Sequence, residues 1–143
     1  MRAMNVAIPV ALTAVLVALA AIHVYWAVTG STSGRGVIPE VDGKPLFTPS
    51  RSATVLVAAA LLVAAFIAAS RGQLVAPAAR GSLVHWAAVF AGVVFLLRAV
   101  GEFTYVGFFK RRRGTRFATL DTWLFSPLCT LIGLAFTYVA MRP

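Results

Sequence analysis

Four long apolar segments constrain the fold of this sequence more than any other feature. They run from about 5 to 29, 52 to 70, 82 to 109 and 120 to 141. Each is close to the length of about 20 residues that an apolar helix needs to cross a bilayer. The sequence therefore predicts an all-α, polytopic membrane protein, in which four transmembrane helices form an antiparallel bundle within one domain, residues 1–143.

The composition excludes an ordinary soluble domain. Hydrophobic residues make up 60% of the chain and charged residues only 12%, whereas soluble domains contain about 25% charged residues. The net charge of +9 would suggest nucleic-acid binding in a soluble protein, but the aromatic–basic interleaving of RNA readers is missing. We therefore expect membrane lipids, with their anionic headgroups, as partners of the basic residues, and no nucleic acid.

The first apolar segment also has features of a secretory signal peptide, since Arg2 precedes it and Ala18-Leu19-Ala20 is a small-residue pattern. Its apolar run is longer than a typical signal-peptide core. It also ends in Tyr25 and Trp26, which are typical of a membrane interface. We interpret it as a membrane span.

Lysines and arginines are distributed unequally between the two sides of the predicted bundle. Both termini and the turn at 71–81 together hold four, whereas the loops at 30–51 and 110–116 hold eight. The positive-inside rule predicts that these two loops are cytoplasmic and that both termini lie outside the plasma membrane. The loop at 30–51 is long for a helix connection, so we expect it to be structured and to pack over the bundle.

Apart from His85, the few charged and histidine residues of the spans gather at one end of the predicted bundle. His23 lies near the end of the first span, Arg98 and Glu102 near the end of the third, and Asp121 at the start of the fourth. An isolated charge in hydrocarbon costs about 2.5–3.5 kcal/mol. Because Arg98 and Glu102 are spaced i,i+4 on one helix face, we expect them to pair and to face the bundle interior.

This cluster allows two interpretations. In the first, Arg98 and Glu102 form a structural ion pair, Asp121 only caps the fourth helix, and His23 is an ordinary interfacial residue. In the second, the cluster is a site in which Glu102 and Asp121 act as catalytic acid or base, His23 shuttles the proton and Arg98 binds the ligand. The aromatic walls of that site would be Tyr25, Trp26, Phe103 and Tyr105.

Two functions from different classes follow from these interpretations. The first is a protein that binds or transforms a lipophilic small molecule near the cytoplasmic leaflet, and whether it is an enzyme stays open. The second is a non-catalytic membrane subunit or a small transporter component, in which the charges set helix register. Four spans alone rarely enclose a conducting path, so transport would require an oligomer.

No metal or other cofactor is expected from the sequence. The two histidines lie at opposite ends of the bundle, and the HExxH, CxxC and glycine-rich phosphate motifs are missing.

Three motifs resemble the domain-of-unknown-function family 3995, which comprises small bacterial membrane proteins with four spans. They are HVYWAVTG (23–30), RAVGEFTYVGFFK (98–110) and FATLDTWLFSPLC (117–129). The resemblance covers nearly the whole chain and implies a bacterial inner-membrane protein, but it supplies no activity. The positions that it marks are His23, Tyr25, Trp26, Arg98, Gly101, Glu102, Phe103, Gly107, Phe108, Asp121, Ser126 and Pro127.

Overall fold

Helices make up almost all of the regular structure. The computed structural model describes residues 2–30, 36–75 and 81–142, with side chains from residue 6 onward. The helices are α1 (Arg2–Thr29), α2 (Arg51–Arg71), α3 (Ser82–Val100), α4 (Arg116–Leu120) and α5 (Ser126–Ala140). A π-helical turn at Asp121–Phe125 joins α4 to α5, and a two-stranded antiparallel ribbon is formed by β1 (Glu40–Val41) and β2 (Lys44–Pro45).

Four helical segments in the described part of the chain are long and apolar enough to cross a membrane. They are Val6–Thr29, Arg51–Arg71, Ser82–Val100 and Arg116–Ala140. Their 19 to 25 residues span about 28–38 Å at 1.5 Å per residue, which matches a hydrocarbon core of about 30 Å. The all-α prediction is confirmed, and the protein is a multi-pass membrane protein.

Large apolar side chains face outward from this bundle. Leu56, Leu83, Phe90 and Trp123 are between 71% and 81% exposed. A soluble protein rarely exposes so many large apolar side chains. In a bilayer the acyl chains solvate these side chains, so the outward faces are consistent with four membrane spans.

The bundle consists of two closely packed helix pairs, α1 with α2 and α3 with α5. The buried face of α2 recurs every three or four residues, as expected for a helix that presents one side to its neighbours. Most of its members are small, which lets the helix backbones approach closely in a membrane. They include Thr54, Ala58, Leu61, Ala65 and Ala68.

Hydrogen bonds hold the ends of the helices together on the side of the 71–81 turn. The Arg71 side chain donates to the backbone oxygens of Val139 (3.3 Å) and Ala140 (3.0 Å). The His85 Nδ1 also lies 3.1 Å from the Ala140 oxygen. These side chains satisfy carbonyl groups that the last turn of α5 leaves without helical partners.

The described part of the long loop packs over the other end of the bundle. Gly36 lies against the Arg116 and Leu120 side chains, and Pro39 is buried. The loop ends at Ser50, whose Oγ caps α2 by accepting a hydrogen bond from the Ala53 N–H at 3.2 Å. Residues 31–35 of the predicted loop lie outside the described residues.

Candidate functional site

Helix α3 ends at Val100, well before the predicted boundary at Phe109. Gly101 follows with a φ of +89°, which an L side chain rarely adopts, and the chain then turns away from the helix axis. Glu102 is therefore not on the helix that carries Arg98. The prediction that these two residues share a helix face is wrong, because i,i+4 spacing brings side chains together only while the helix continues.

Glu102 is exposed and binds the backbone of the loop that follows it. Its carboxylate accepts hydrogen bonds from the backbone N–H groups of Thr104 (3.1 Å), Tyr105 and Val106 (3.1 Å). The predicted Arg98–Glu102 ion pair is not formed, and Glu102 does not face the bundle interior. The carboxylate instead stabilises the turn that begins after α3.

Glu102 should make the structure of this turn pH-dependent. The Tyr105 N–H bonds to its carboxylate and holds the pKa of Glu102 below its ordinary value of 4.5. A lowered folded-state pKa contributes stability above the unfolded-state pKa, and this stability is lost as pH falls through the folded-state value. We expect Glu102→Gln to remove this acid dependence from the amide chemical shifts of 104–106, whereas Glu40→Gln leaves it in place. Equal acid sensitivity in both variants would contradict the role of Glu102.

Asp121 is the centre of a buried polar cluster at the same end of the bundle. Its side chain is 0% exposed. Its Oδ1 accepts a hydrogen bond from Arg98 Nη2 at 2.9 Å. Its Oδ2 accepts from the Gly107 N–H at 2.7 Å, from Lys110 Nζ at 3.0 Å and from Ser126 Oγ at 3.3 Å. One carboxylate thus connects α3, the loop at 101–115 and the start of α5.

Lys110 is the member of this cluster that sequence reasoning missed. It belongs to the basic loop at 110–116, whose charges predict a cytoplasmic location, yet its side chain is 0% exposed. Its ammonium group donates to Asp121, to the Gly107 oxygen (2.9 Å) and to Thr122 Oγ1 (2.6 Å). Lys110 directly precedes three arginines, and nothing in this basic sequence distinguishes it as buried. Gly107 and Ser126 also contact Asp121, and both were marked by the family resemblance.

The backbone at Asp121 departs from α-helical geometry. Asp121–Phe125 forms a π-helical turn within an otherwise continuous helix from Arg116 to Ala140. Such π-bulges are rare and are frequent at functional sites. Here the turn carries both Asp121 and Thr122, which contact Lys110.

A half-open cleft of about 450 Å³ lies beside this cluster. It is formed by the end of α1, the start of α2, the described part of the long loop and the Arg98 side chain. Its volume lies in the range of small-molecule sites, which are typically apolar with a few polar groups. The cleft is lined by His23, Trp26, Val37, Ile38, Phe47, Pro49, Ala53, Thr54, Val57 and Arg98.

His23 and Trp26 form one wall of the cleft. Their rings meet edge to face with centroids 5.1 Å apart. The His23 Nδ1 lies 2.7 Å from the Leu19 oxygen, and since a carbonyl only accepts, this nitrogen carries the proton in that bond. The Nε2 atom is then the ring nitrogen available to a ligand. The structure therefore places His23, Trp26 and Arg98 at one cleft.

The other predicted site residues lie elsewhere. Tyr25 and Phe103 are 60% and 55% exposed, and Tyr105 is partly buried. Like Glu102 and Asp121, these residues do not line the cleft. Phe103 has a φ of +69°, which is strained for a bulky residue and reflects the tight turn around Glu102. Of the four aromatic residues predicted to form the walls of the site, Trp26 lines the cleft and the other three do not.

Among residues 2–30, 36–75 and 81–142, no group of three or more His, Cys, Asp and Glu side chains is arranged to hold a metal ion. Cys129 is partly buried and is not part of a disulfide. Among the described residues, the polar side chains that line the cleft are those of Arg98, His23 and Thr54.

Comparison with known proteins gives a family but no activity. A model for the family described as "Protein of unknown function (DUF3995)" matches residues 16–136. The search of curated proteins finds no match, and the search of solved structures finds none. The match includes α1 from its middle onward, the loop at 101–115 and the Asp121 cluster. The resemblance seen in the sequence motifs is thus confirmed, and the chain belongs to the DUF3995 family.

Proposed function

We propose that the protein binds a lipophilic small molecule in the cleft between α1, α2 and Arg98. The observation that supports this function is the cleft itself, which combines apolar walls with a few polar groups at one end of a membrane bundle. A molecule dissolved near the headgroups of the bilayer would enter with its chain against Val37, Phe47 and Val57. Its polar end would face His23 and Arg98.

Binding is favoured over catalysis by the placement of the two carboxylates. Glu102 hydrogen-bonds the backbone of its own loop. Asp121 is fully buried, with three side chains and one backbone N–H donating to its oxygens. Neither carboxylate lines the cleft, which favours ligand binding over acid–base catalysis by these two groups. Among the described residues that line the cleft, His23 and Arg98 carry the titratable groups.

The alternative function, a non-catalytic subunit or transporter component, is favoured by the closed character of the Asp121 cluster. Buried ionisable groups of this kind also set helix register. A purely structural ion network would not need a cleft beside it. We prefer ligand binding because the cleft is present.

We further propose that the end of the bundle with the cleft faces the cytoplasm, in the plasma membrane. Arg111, Arg112, Arg113 and Arg116 are exposed beside it. An excess of basic residues next to the spans is typical of cytoplasmic loops. Burial of Lys110 removes one charge from this exposed set and leaves the asymmetry in place.

The native fluorescence of Trp26 gives a direct test of ligand binding. Trp86 and Trp123 are 66% and 81% exposed on the outward faces, so phenylalanine at both positions leaves Trp26 as the reporter. In nanodiscs of phosphatidylcholine, brominated dodecanoic acid and brominated dodecanol would be added as quenchers. We expect at least one of them to quench Trp26 fluorescence in a saturable manner. The unbrominated compound should compete for the cleft and reverse this part of the quenching.

Two matched variants of α2 show whether the quenching comes from the cleft. Val57 and Val55 have similar exposure, 45% and 55%. Val57 lines the cleft, whereas Val55 does not. Val57→Phe should fill the cleft and remove the saturable component, whereas Val55→Phe should leave it unchanged. Quenching that never saturates, or that survives Val57→Phe, would overturn the proposed function.

A further inference from the structure

We infer that the molecule bound in the cleft carries an acidic head group, a carboxylate or a phosphate, which the Arg98 guanidinium binds. This inference rests on the proposed function and adds the chemical class of the ligand to it.

Arg98 has hydrogen-bonding capacity that the described residues leave unused. A guanidinium has five N–H donors, and the described contacts of Arg98 consist of one hydrogen bond, from Nη2 to Asp121. Its Nη1 atom is buried and has no hydrogen-bond partner among the described residues. The side chain is 35% exposed and lines the cleft. An oxyanion that enters the cleft therefore meets a guanidinium that is only partly neutralised.

The charges around Asp121 also favour an anion. Two cationic side chains, Arg98 and Lys110, pair with the single carboxylate of Asp121, which leaves a formal surplus of one positive charge. Lys110 is enclosed and already donates to three acceptors, as many as an ammonium group can supply. The surplus is therefore accessible through Arg98.

The walls of the cleft reinforce this preference. None of the described residues that line it is acidic, and most are apolar. In such surroundings a charge-assisted hydrogen bond is roughly twice as strong as a neutral one. A neutral alcohol would leave the surplus charge without a counter-charge. A carboxylate or phosphate on a lipophilic chain would supply both the counter-charge and the apolar contact.

Three quenchers that share one chain and differ in their head groups test this inference on the full-length protein. They are brominated dodecanoic acid, brominated dodecyl phosphate and brominated dodecanol, added at neutral pH to nanodiscs of phosphatidylcholine with Trp26 as reporter. We expect at least one acid to saturate the quenching at a concentration about ten-fold or more below that of the alcohol. The acid that binds more tightly identifies the head group.

Two arginine variants locate the selectivity. Arg98→Gln should abolish the preference for the acid, whereas Arg111→Gln removes the same charge from an exposed position outside the cleft and should retain it. If Arg98→Gln does not fold, the comparison of the three quenchers on the parent protein still tests whether the cleft prefers an acidic head group. Equal saturation by acid and alcohol would overturn this inference and leave the proposed function standing. If none of the three quenchers saturates, both are overturned.

Discussion

Asp121→Asn should lower the free energy of unfolding by about 3–5 kcal/mol, the cost of leaving a buried charge without its partner. Lys110 would remain in a site where its side chain is 0% exposed. The asparagine oxygen can still accept one hydrogen bond, for example from the Gly107 N–H. It supplies no negative charge to Lys110 or Arg98, and its NH₂ group would face one of these cations.

Unfolding in mixed micelles with increasing SDS fraction measures this loss. Asp42→Asn is the matched control, because it makes the same chemical change at an exposed position and should change the unfolding free energy by less than about 0.5 kcal/mol. Removing both charges, in Lys110→Met with Asp121→Asn, should cost less than the two single changes added together. A small effect of Asp121→Asn alone would show that the cluster does not hold this end of the bundle.

Gly107→Ala should destabilise the protein by about 2–5 kcal/mol, from backbone strain and overpacking together. Gly107 has a φ of +89°. A Cβ there would collide with the Val100 oxygen and with the backbone of Gly101. These atoms belong to backbone and not to a flexible side chain, so the loop would have to move. That movement would withdraw the Gly107 N–H from Asp121.

Gly114→Ala separates the two causes of this destabilisation. Gly114 has nearly the same φ, +90°, but a Cβ there would meet nothing within 4 Å. Its substitution should cost only the strain of the left-handed conformation, about 1–2 kcal/mol. If both variants lost equal stability in the same SDS titration, the close contact between Gly101 and Gly107 would contribute nothing to the destabilisation. The expected overpacking at Gly107 would then be wrong.

Arg98 and Asp121 illustrate what the sequence can predict: it places both residues at the same end of the bundle, although it pairs Arg98 with Glu102. Spans joined by a loop begin and end on the same side of the membrane, so the end of α3 and the start of the fourth span had to lie close together. A charge in hydrocarbon needs a partner, and Asp121 was among the few that this topology offered. His23 lies at this end by the same topology and lines the cleft with Arg98.

The position of Glu102 illustrates where the reasoning stopped. Its spacing from Arg98 indicates a shared face only if the helix continues through Gly101. The apolar residues 103–109 gave no reason to end it, because hydropathy measures burial in lipid and does not distinguish a helix from a turn. The helix end is set by a positive φ at Gly101 and by Glu102 binding three backbone N–H groups.

The sequence by itself determined that this protein crosses a membrane four times and that His23, Arg98 and Asp121 lie at one end of the bundle. Both follow from the transfer free energy of long apolar segments and charged side chains, which depends on composition and order alone. Only the tertiary structure decided that Lys110, and not Glu102, joins Arg98 at Asp121, and that a cleft opens between α1 and α2. Those outcomes depend on the path of the loop at 101–115 and on side-chain packing across helices, which are set by contacts between residues distant in the chain.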